Sequence, residues 1–179
     1  MDAMKLPESK FRLTLLVTLV AFLGAVAVCW IFEQLGFPEQ NQVKMIRDMA
    51  GWNRTFVLTV AWVLAGTPVV EECLFRLLLF RLPSRLLSKE EPLRFFDFHA
   101  QFVCAILSSA VFSFAHYIDF ASLFAGRGFA LTPVSNAFFA LFLLGFAWCW
   151  LYRLTGAIWC NMLSHSLFNA ANLVFLFFV

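Results

Sequence analysis

Long apolar stretches alternate with short polar ones along the whole chain. The apolar stretches cover residues 11–32, 55–81, 98–116, 133–151 and 157–178. Each is close to the roughly 20 residues that an α-helix needs to cross a bilayer. The pattern therefore predicts an all-α fold, a polytopic transmembrane helical bundle of about five spans, with short helices at the membrane interface.

The polar stretches mark the ends of these spans and one boundary within the chain. Residues 33–54 are polar and mixed in charge, and their middle, residues 42–50, fits a short interfacial helix. We therefore divide the chain into an N-terminal span with its interfacial segment, residues 1–54, and a membrane core, residues 55–179. Within the core, residues 118–132 form a loop that is long and aromatic enough to lie in the interface or to act as a lid.

The first span and the loop charges predict how the chain enters the membrane. Its basic start and the sequence Ala25-Val26-Ala27 resemble a cleavable signal peptide. The apolar run continues to Phe32, which is long enough to span, so we expect it to be retained. With the N-terminus inside, the inner loops hold eight Lys and Arg residues and the outer loops four, so the N-terminus is predicted to be cytoplasmic.

Composition excludes several classes of protein. Hydrophobic residues make up 62% of the 179 residues and charged residues 13%, whereas soluble domains average about 45–50% and about 25%. The net charge of +2 is too small to indicate a nucleic-acid partner. None of the five cysteines is part of a CxxC pair, so neither a disulfide framework nor a cysteine metal cage is expected.

Two carboxylates and an arginine interrupt the second apolar stretch, and such intramembrane charges are functional candidates by default. On a helix Glu72 and Arg76 share a face and can pair, whereas Glu71 points about 100° away and is left free for chemistry. Pro68, one turn earlier, is expected to kink or loosen the helix. The alternative is an ion pair with a purely structural role.

Further polar residues interrupt the third and fifth stretches. His116 closes the third, and Asn161, His165, Asn169 and Asn172 follow at spacings of 4, 4 and 3 in the fifth. That spacing forms a polar stripe on one helical face, which we expect to face the interior of the bundle. Alternatively, each of these side chains forms an ordinary hydrogen bond between packed membrane helices.

Together these groups have the chemistry to activate water. A desolvated carboxylate such as Glu71 can act as general base, and His116 could share the water or pass its proton to a leaving amine. His165 and Asn169 could donate hydrogen bonds to a developing oxyanion. The combination predicts hydrolysis of a peptide bond within a bilayer.

Three other kinds of chemistry are alternatives to water activation by Glu71. Glu71 or Glu72 with His116 and His165 could bind zinc, but the chain lacks HExxH. A serine hydrolase is disfavoured because no GxSxG is present. Ion transport would also use buried carboxylates and histidines. We expect no cofactor, with zinc as the alternative.

Three ordered motifs resemble those of a known family. The sequence from Glu71 to Arg76 fits EExxxR, that from Phe112 to His116 fits FxxxH, and that from His165 to Asn169 fits HxxxN. In this order they resemble the CAAX-prenyl-protease and bacteriocin-processing family (CPBP, also called Abi), the glutamic intramembrane endopeptidases. The resemblance covers residues 55–171.

The resemblance implies a role for each motif residue. Glu71 would be the general base and His116 its partner on the catalytic water, while His165 and Asn169 would stabilise the oxyanion. The other two motif residues would form the supporting ion pair, Glu72 and Arg76. A zinc-dependent variant of the protease remains an alternative.

The resemblance also implies a location and a type of partner. The chain is shorter than the eukaryotic prenyl-protein members, and small prokaryotic-type members process membrane-anchored proteins or peptides. We therefore expect an integral protein of a prokaryotic plasma (inner) membrane, with the lipid bilayer and a membrane-anchored substrate as its partners. A non-catalytic immunity or scaffold protein of the same fold is the alternative.

One geometric condition follows from these spans. If the third span begins at Phe98, His116 lies ~27 Å along its axis, whereas Glu71 lies only ~15 Å from Arg81 at 1.5 Å per residue. The two side chains can meet only if the third helix begins earlier, is strongly tilted or has other bounds.

Overall fold

The structure, a computed structural model, describes residues 6–48, 53–87 and 94–178. Within these residues every regular element is a helix, and the sole β contact is an isolated bridge between Ile118 and Leu131. The predicted all-α fold is confirmed. The α-helices are α1 (Leu6–Gln34), α2 (Asn41–Asp48), α3 (Arg54–Ala61), α4 (Thr67–Glu72), α5 (Leu82–Leu87), α6 (Arg94–Ala115), α7 (Phe120–Phe124), α8 (Phe138–Thr155) and α9 (Ile158–Phe178).

Three of these helices are long and apolar enough to cross a membrane. They cover Glu8–Gln34, Phe98–Ala115 and Phe138–Thr155, within the first, third and fourth predicted spans. The second and fifth predicted spans correspond to the helical run described next and to α9. Large apolar side chains of α1, such as Leu16, Val20 and Leu23, are more than half exposed, as expected for a helix that faces lipid.

The two carboxylates lie on a helical run of residues 54–87, which we call the glutamate helix. It joins α3, α4 and α5 through two π-helical segments, π1 (Trp62–Gly66) and π2 (Cys73–Arg81). Asn53 caps its start by accepting a hydrogen bond from the backbone of Phe56.

The helix is wound more loosely just before Pro68, as the sequence predicts. The backbone N–H of Thr67 donates to the carbonyl of Trp62, five residues earlier, instead of four. Proline lacks an N–H and crowds the preceding turn, so the standard ladder cannot continue past it unchanged. The prediction of a loosened helix one turn before the carboxylates is confirmed.

Small residues allow α6 and α8 to pack closely. A Cβ added to Gly145 of α8 would lie 3.1 Å from the Cα of Ser109 on α6, which is tighter than ordinary van der Waals contact. Close approach of this kind is how membrane helices gain packing energy where no hydrophobic effect drives their association. The α6–α8 contact therefore fixes the helix that bears His116 against its neighbour.

Several predicted bounds need correction. The fourth span was expected to begin at Pro133, but α8 begins at Phe138, because the preceding residues form turns. It ends at Thr155, where Gly156 adopts a left-handed conformation with φ of 63°. The short interfacial helix predicted for residues 42–50 is present as α2, whereas residues 49 and 50 lie outside the described residues.

The observed helix bounds also reduce the difference in depth between Glu71 and His116 that the predicted spans implied. The helix of the third span, α6, begins at Arg94, four residues earlier than expected, and the glutamate helix continues to Leu87. At 1.5 Å per residue, Glu71 lies ~24 Å from the end of its helix and His116 ~33 Å from the start of α6. The predicted loop of residues 81–97 is mostly helical where it is described, and residues 88–93 lie outside the described part.

Candidate active site

Glu72 lies at the centre of a fully buried polar network. Its side chain is 0% exposed, and its Oε2 accepts hydrogen bonds from Arg76 Nε at 3.0 Å and Asn161 Nδ2 at 3.2 Å. Its Oε1 accepts a hydrogen bond from His165 Nδ1 at 3.0 Å. The ion pair predicted from the i, i+4 spacing is present, and Glu72 has partners on both oxygens.

Arg76 is buried among aromatic rings and small polar groups. Its guanidinium carbon lies 5.4 Å from the ring centre of Phe112 and 5.8 Å from that of Trp148. Its Nη1 approaches Ser108 Oγ at 3.4 Å and Cys149 Sγ at 3.6 Å. Cation–π contacts of this kind compensate part of the lost hydration of a buried arginine.

Glu71 differs from its neighbour in exposure and in partners. Its side chain is 21% exposed, and its buried Oε2 has no hydrogen-bond partner among the described residues. That oxygen lies 3.8 Å from His165 Nε2, and the carboxylate is within electrostatic range of His116. Of the two carboxylates, Glu71 is therefore the one with an acceptor oxygen available for a ligand.

His116 follows directly after the last residue of α6. Its Nδ1 lies 2.8 Å from the carbonyl oxygen of Phe112. Since a carbonyl can only accept, Nδ1 must carry the proton, and Nε2 of the neutral ring has a free lone pair. The ring also contacts that of Phe112, with 4.7 Å between centroids. This tautomer makes His116 a proton acceptor at Nε2.

His165 lies between the two carboxylates. It is 4% exposed, with Nδ1 bonded to Glu72 and Nε2 directed towards Glu71. Because an ionised Glu72 can only accept, Nδ1 carries a proton, and Nε2 can donate only when the ring is doubly protonated. Nε2 is thus the ring nitrogen that faces Glu71.

The asparagines of the polar stripe have separate environments. Asn161 donates to Glu72 and, at 2.7 Å, to the carbonyl of Trp148. Asn169 donates at 2.8 Å to the carbonyl of Val63 in π1, which leaves its second amide hydrogen available. Asn172 was expected to face the interior, and this was wrong: it is exposed and donates to Phe168 of its own helix.

Sequence reasoning missed three residues that support His165. Trp148 stacks on its ring, with 4.2 Å between centroids, and donates from Nε1 to Ser164 Oγ at 3.0 Å. The Ser164 hydroxyl is also hydrogen-bonded to that of Thr18 on α1, with 2.8 Å between the oxygens, while Thr18 donates to the carbonyl of Thr14. A possible signal was the pair Thr14 and Thr18, which places two hydroxyls on one face of an otherwise apolar span.

The donors required for a metal site are not assembled in the described part of the chain. No group of three His, Cys, Asp or Glu side chains there could hold a metal ion. One nitrogen of His165 and both oxygens of Glu72 are already engaged within the network. The described residues therefore do not fit the tetrahedral zinc site that a zinc peptidase requires.

Comparison with known families identifies the group to which this fold and site belong. A family model described as "Type II CAAX prenyl endopeptidase Rce1-like" matches residues 53–171, about two thirds of the chain. The matched region contains the glutamate helix, His116, and the residues Asn161, His165 and Asn169 of the polar stripe. No curated protein and no solved structure matches the chain.

Proposed function

Because the chain belongs to the type II CAAX prenyl endopeptidase Rce1-like family, an integral-membrane peptidase family, we propose that it is a glutamic-type intramembrane endopeptidase. In this proposal Glu71 and His116 activate a water that hydrolyses a peptide bond. The observation that carries the proposal is the contrast between two adjacent carboxylates. Glu72 has a partner on each oxygen, whereas Glu71 Oε2 is buried without one among the described residues.

Water activation uses the two acceptors on the substrate side of the network. A water between Glu71 Oε2 and His116 Nε2 donates one hydrogen to each, which turns a lone pair towards the substrate carbonyl. The water oxygen then bonds to the carbonyl carbon, and Glu71 takes the proton. As the tetrahedral intermediate collapses, the C–N bond breaks and the leaving amine receives the proton that Glu71 took from the water, directly or relayed through Nε2 of His116.

Stabilisation of the oxyanion uses the donors on α9. When its ring is doubly protonated, His165 offers its Nε2–H, and Asn169 offers the amide hydrogen that is not bonded to Val63. Donors fixed before the reaction stabilise developing charge without reorganising. Glu72 holds Nδ1 of His165, so its proposed role is to orient the donor.

The ion pair of Glu72 with Arg76 supports the site without touching the substrate. Both side chains are 0% exposed, and Asn161 connects Glu72 to the backbone of α8. A buried network with nearly every member bonded holds its side chains in one arrangement. We propose that this network links the glutamate helix, α8 and α9 around the reacting groups.

The remaining parts of the proposal concern substrate, cofactor and location. The substrate class is a membrane-anchored protein or peptide, cleaved without a metal cofactor. We place the protein in the plasma membrane of a prokaryote with a cytoplasmic N-terminus. Chelation tests the cofactor: we expect EDTA to leave cleavage unchanged, whereas loss of cleavage that zinc restores would establish the zinc-dependent alternative.

A comparison of cells with and without the protein tests the catalytic role. Membrane peptides that accumulate in its absence identify the substrate, and re-expression of the wild-type chain should remove them. The Glu71→Gln and His116→Ala variants should not, because loss of a general base lowers the rate by about 10²–10⁴-fold. Matched controls are Glu33→Gln and His99→Ala, since both side chains are exposed and lie outside the network.

The outcome separates the peptidase from its alternative. Each variant must reach wild-type abundance in the membrane and retain its helical circular dichroism. Full complementation by folded Glu71→Gln would refute the peptidase mechanism and support a non-catalytic immunity or scaffold protein of the same fold.

A further inference from the structure

A polar cavity lies at the end of the bundle where the glutamate helix and α8 finish. It has a volume of about 230 Å³ and is lined by three arginines, Arg81, Arg85 and Arg153. None of the described residues that line it is acidic. Nor does any of the three arginines form an ion pair with an acidic side chain in the described part of the chain. The cavity therefore concentrates positive charge.

Aromatic rings hold two of these arginines in place. The guanidinium of Arg153 lies 4.6 Å from the ring centre of Trp150 and 5.1 Å from that of Phe98. That of Arg81 lies 5.9 Å from the ring of Tyr152. Arginine beside tryptophan and tyrosine is typical of the membrane–water interface, where aromatic side chains form belts. The cavity thus lies at headgroup depth.

Apolar surface continues from the cavity towards the hydrocarbon. Its floor is formed by the buried rings of Phe80 and Tyr152. Each of the three arginines is followed in the chain by an exposed leucine: Leu82, Leu86 and Leu154 are 47%, 75% and 58% exposed. A ligand with an anionic head and acyl chains would match both parts, whereas a free anion would use the arginines alone.

We propose that this cavity binds the phosphate head group of an acidic phospholipid, with its acyl chains along the exposed leucines. Arginine binds phosphate through charge and through its planar, forked set of N–H donors. Along the helix axes the cavity lies ~15 Å from Glu71 through Arg81 and ~7 Å from Trp148 through Arg153. None of the residues that line the cavity belongs to the candidate active site, and the proposal does not depend on peptidase activity.

Titration with short-chain lipids tests the site on the purified full chain in a neutral detergent. Phosphatidylglycerol and phosphatidylcholine with the same acyl chains are compared, and native mass spectrometry counts the bound lipids. Wild type should bind phosphatidylglycerol more tightly. The double variant Arg81→Gln/Arg153→Gln should weaken that binding by about fivefold per arginine, with phosphatidylcholine binding unchanged.

Two controls make the result specific. Arg47→Gln/Arg127→Gln removes the same charge from exposed arginines outside the cavity and should bind lipid as wild type does. If the double variant loses its thermal transition, the single change Arg85→Gln, at an exposed position, should still weaken binding about fivefold.

The source of the phosphate is distinguished by competition. Millimolar inorganic phosphate should not displace phosphatidylglycerol; displacement, together with binding of phosphate alone, would overturn the lipid assignment in favour of a free anion. Equal affinity of wild type for the two lipids, or equal loss of binding in both double variants, would refute a specific site.

Discussion

The indole ring of Trp148 stacks on the imidazole of His165, with 4.2 Å between centroids and 23° between planes. Hydrogen bonds fix both rings, since Trp148 donates to Ser164 and His165 donates to Glu72. The stacked pair therefore positions Nε2 of His165 beside Glu71. An aromatic wall of this kind also keeps water away from the buried face of the histidine.

Trp148 gives the first prediction. Trp148→Phe keeps an aromatic surface but loses the hydrogen bond to Ser164, so we expect a cost in unfolding free energy of about 1 kcal/mol. Trp148→Leu also loses the stacking and should cost roughly 3 kcal/mol. Thermal unfolding in detergent measures both, and cleavage should fall in the same order.

Trp159→Leu serves as the matched control, because Trp159 is 46% exposed on α9. It should leave both stability and cleavage near wild type. Cleavage by Trp148→Leu at the wild-type rate would contradict a positioning role for the indole.

The N-terminal helix gives the second prediction. Thr18 of α1 lies outside the matched region of residues 53–171, yet its hydroxyl is hydrogen-bonded to that of Ser164 at 2.8 Å. Thr18→Val removes this bond at nearly constant volume. We expect a loss of about 1 kcal/mol in unfolding free energy and a lower kcat, because Ser164 also anchors Trp148.

Thr14→Val is the comparison variant, since Thr14 is also buried but its hydroxyl bonds only to Lys10 of its own helix. Both variants should fold. An equal change of kcat in the two variants would show that the hydrogen bond between Thr18 and Ser164 does not affect catalysis.

Much of the site can be predicted from spacing within single helices. The pair of Glu72 with Arg76 follows from a separation of four residues. The placement of Asn161 and His165 on one buried face follows from the same period. In each case the sequence pattern fixes the relation because one rigid helix carries both residues.

Contacts between helices could not be predicted in this way. The chain contains 6 tryptophans and 24 phenylalanines, and nothing in the local sequence of Trp148 distinguishes it. The bond from Asn169 to Val63 depends on a carbonyl in a π-helical turn. Asn172 has the same helical period as Asn161 and His165 but is exposed, so periodicity alone gives the wrong side.

Gly145 gives the third prediction, about the packing of α6 on α8. A methyl group at this position would lie 3.1 Å from backbone atoms of Ser109, which cannot move without the helix. Gly145→Ala should therefore destabilise the fold by about 1–3 kcal/mol, as overpacking usually does. Thermal unfolding in detergent measures the change.

Gly24→Ala is the control for intrinsic helix preference. Gly24 lies within α1 and has no atom within 4 Å of its added Cβ. Alanine there should stabilise the helix by roughly 0.5–1 kcal/mol. Stabilisation by both substitutions would contradict close packing of α6 on α8 at Gly145.

The two adjacent carboxylates give the fourth prediction. Glu72→Gln leaves Arg76 buried without a counter-ion, and breaking one partner of a buried pair typically costs about 3–5 kcal/mol. Glu71→Gln removes a carboxylate whose buried oxygen has no partner among the described residues, so its unfolding free energy should stay within about 1 kcal/mol of wild type. Cleavage should be lost in both variants, but only Glu72→Gln should unfold more easily.

A double-mutant cycle tests whether the loss of stability in Glu72→Gln comes from the broken ion pair with Arg76. Glu72→Leu and Arg76→Leu should each destabilise strongly, since each leaves one charge uncompensated in the core. The double variant should be more stable than either single one, because replacing a whole buried pair by apolar residues often costs little. The coupling energy then measures the pair itself. Additive losses would mean that Glu72 and Arg76 do not compensate each other, and the supporting role assigned to them would be wrong.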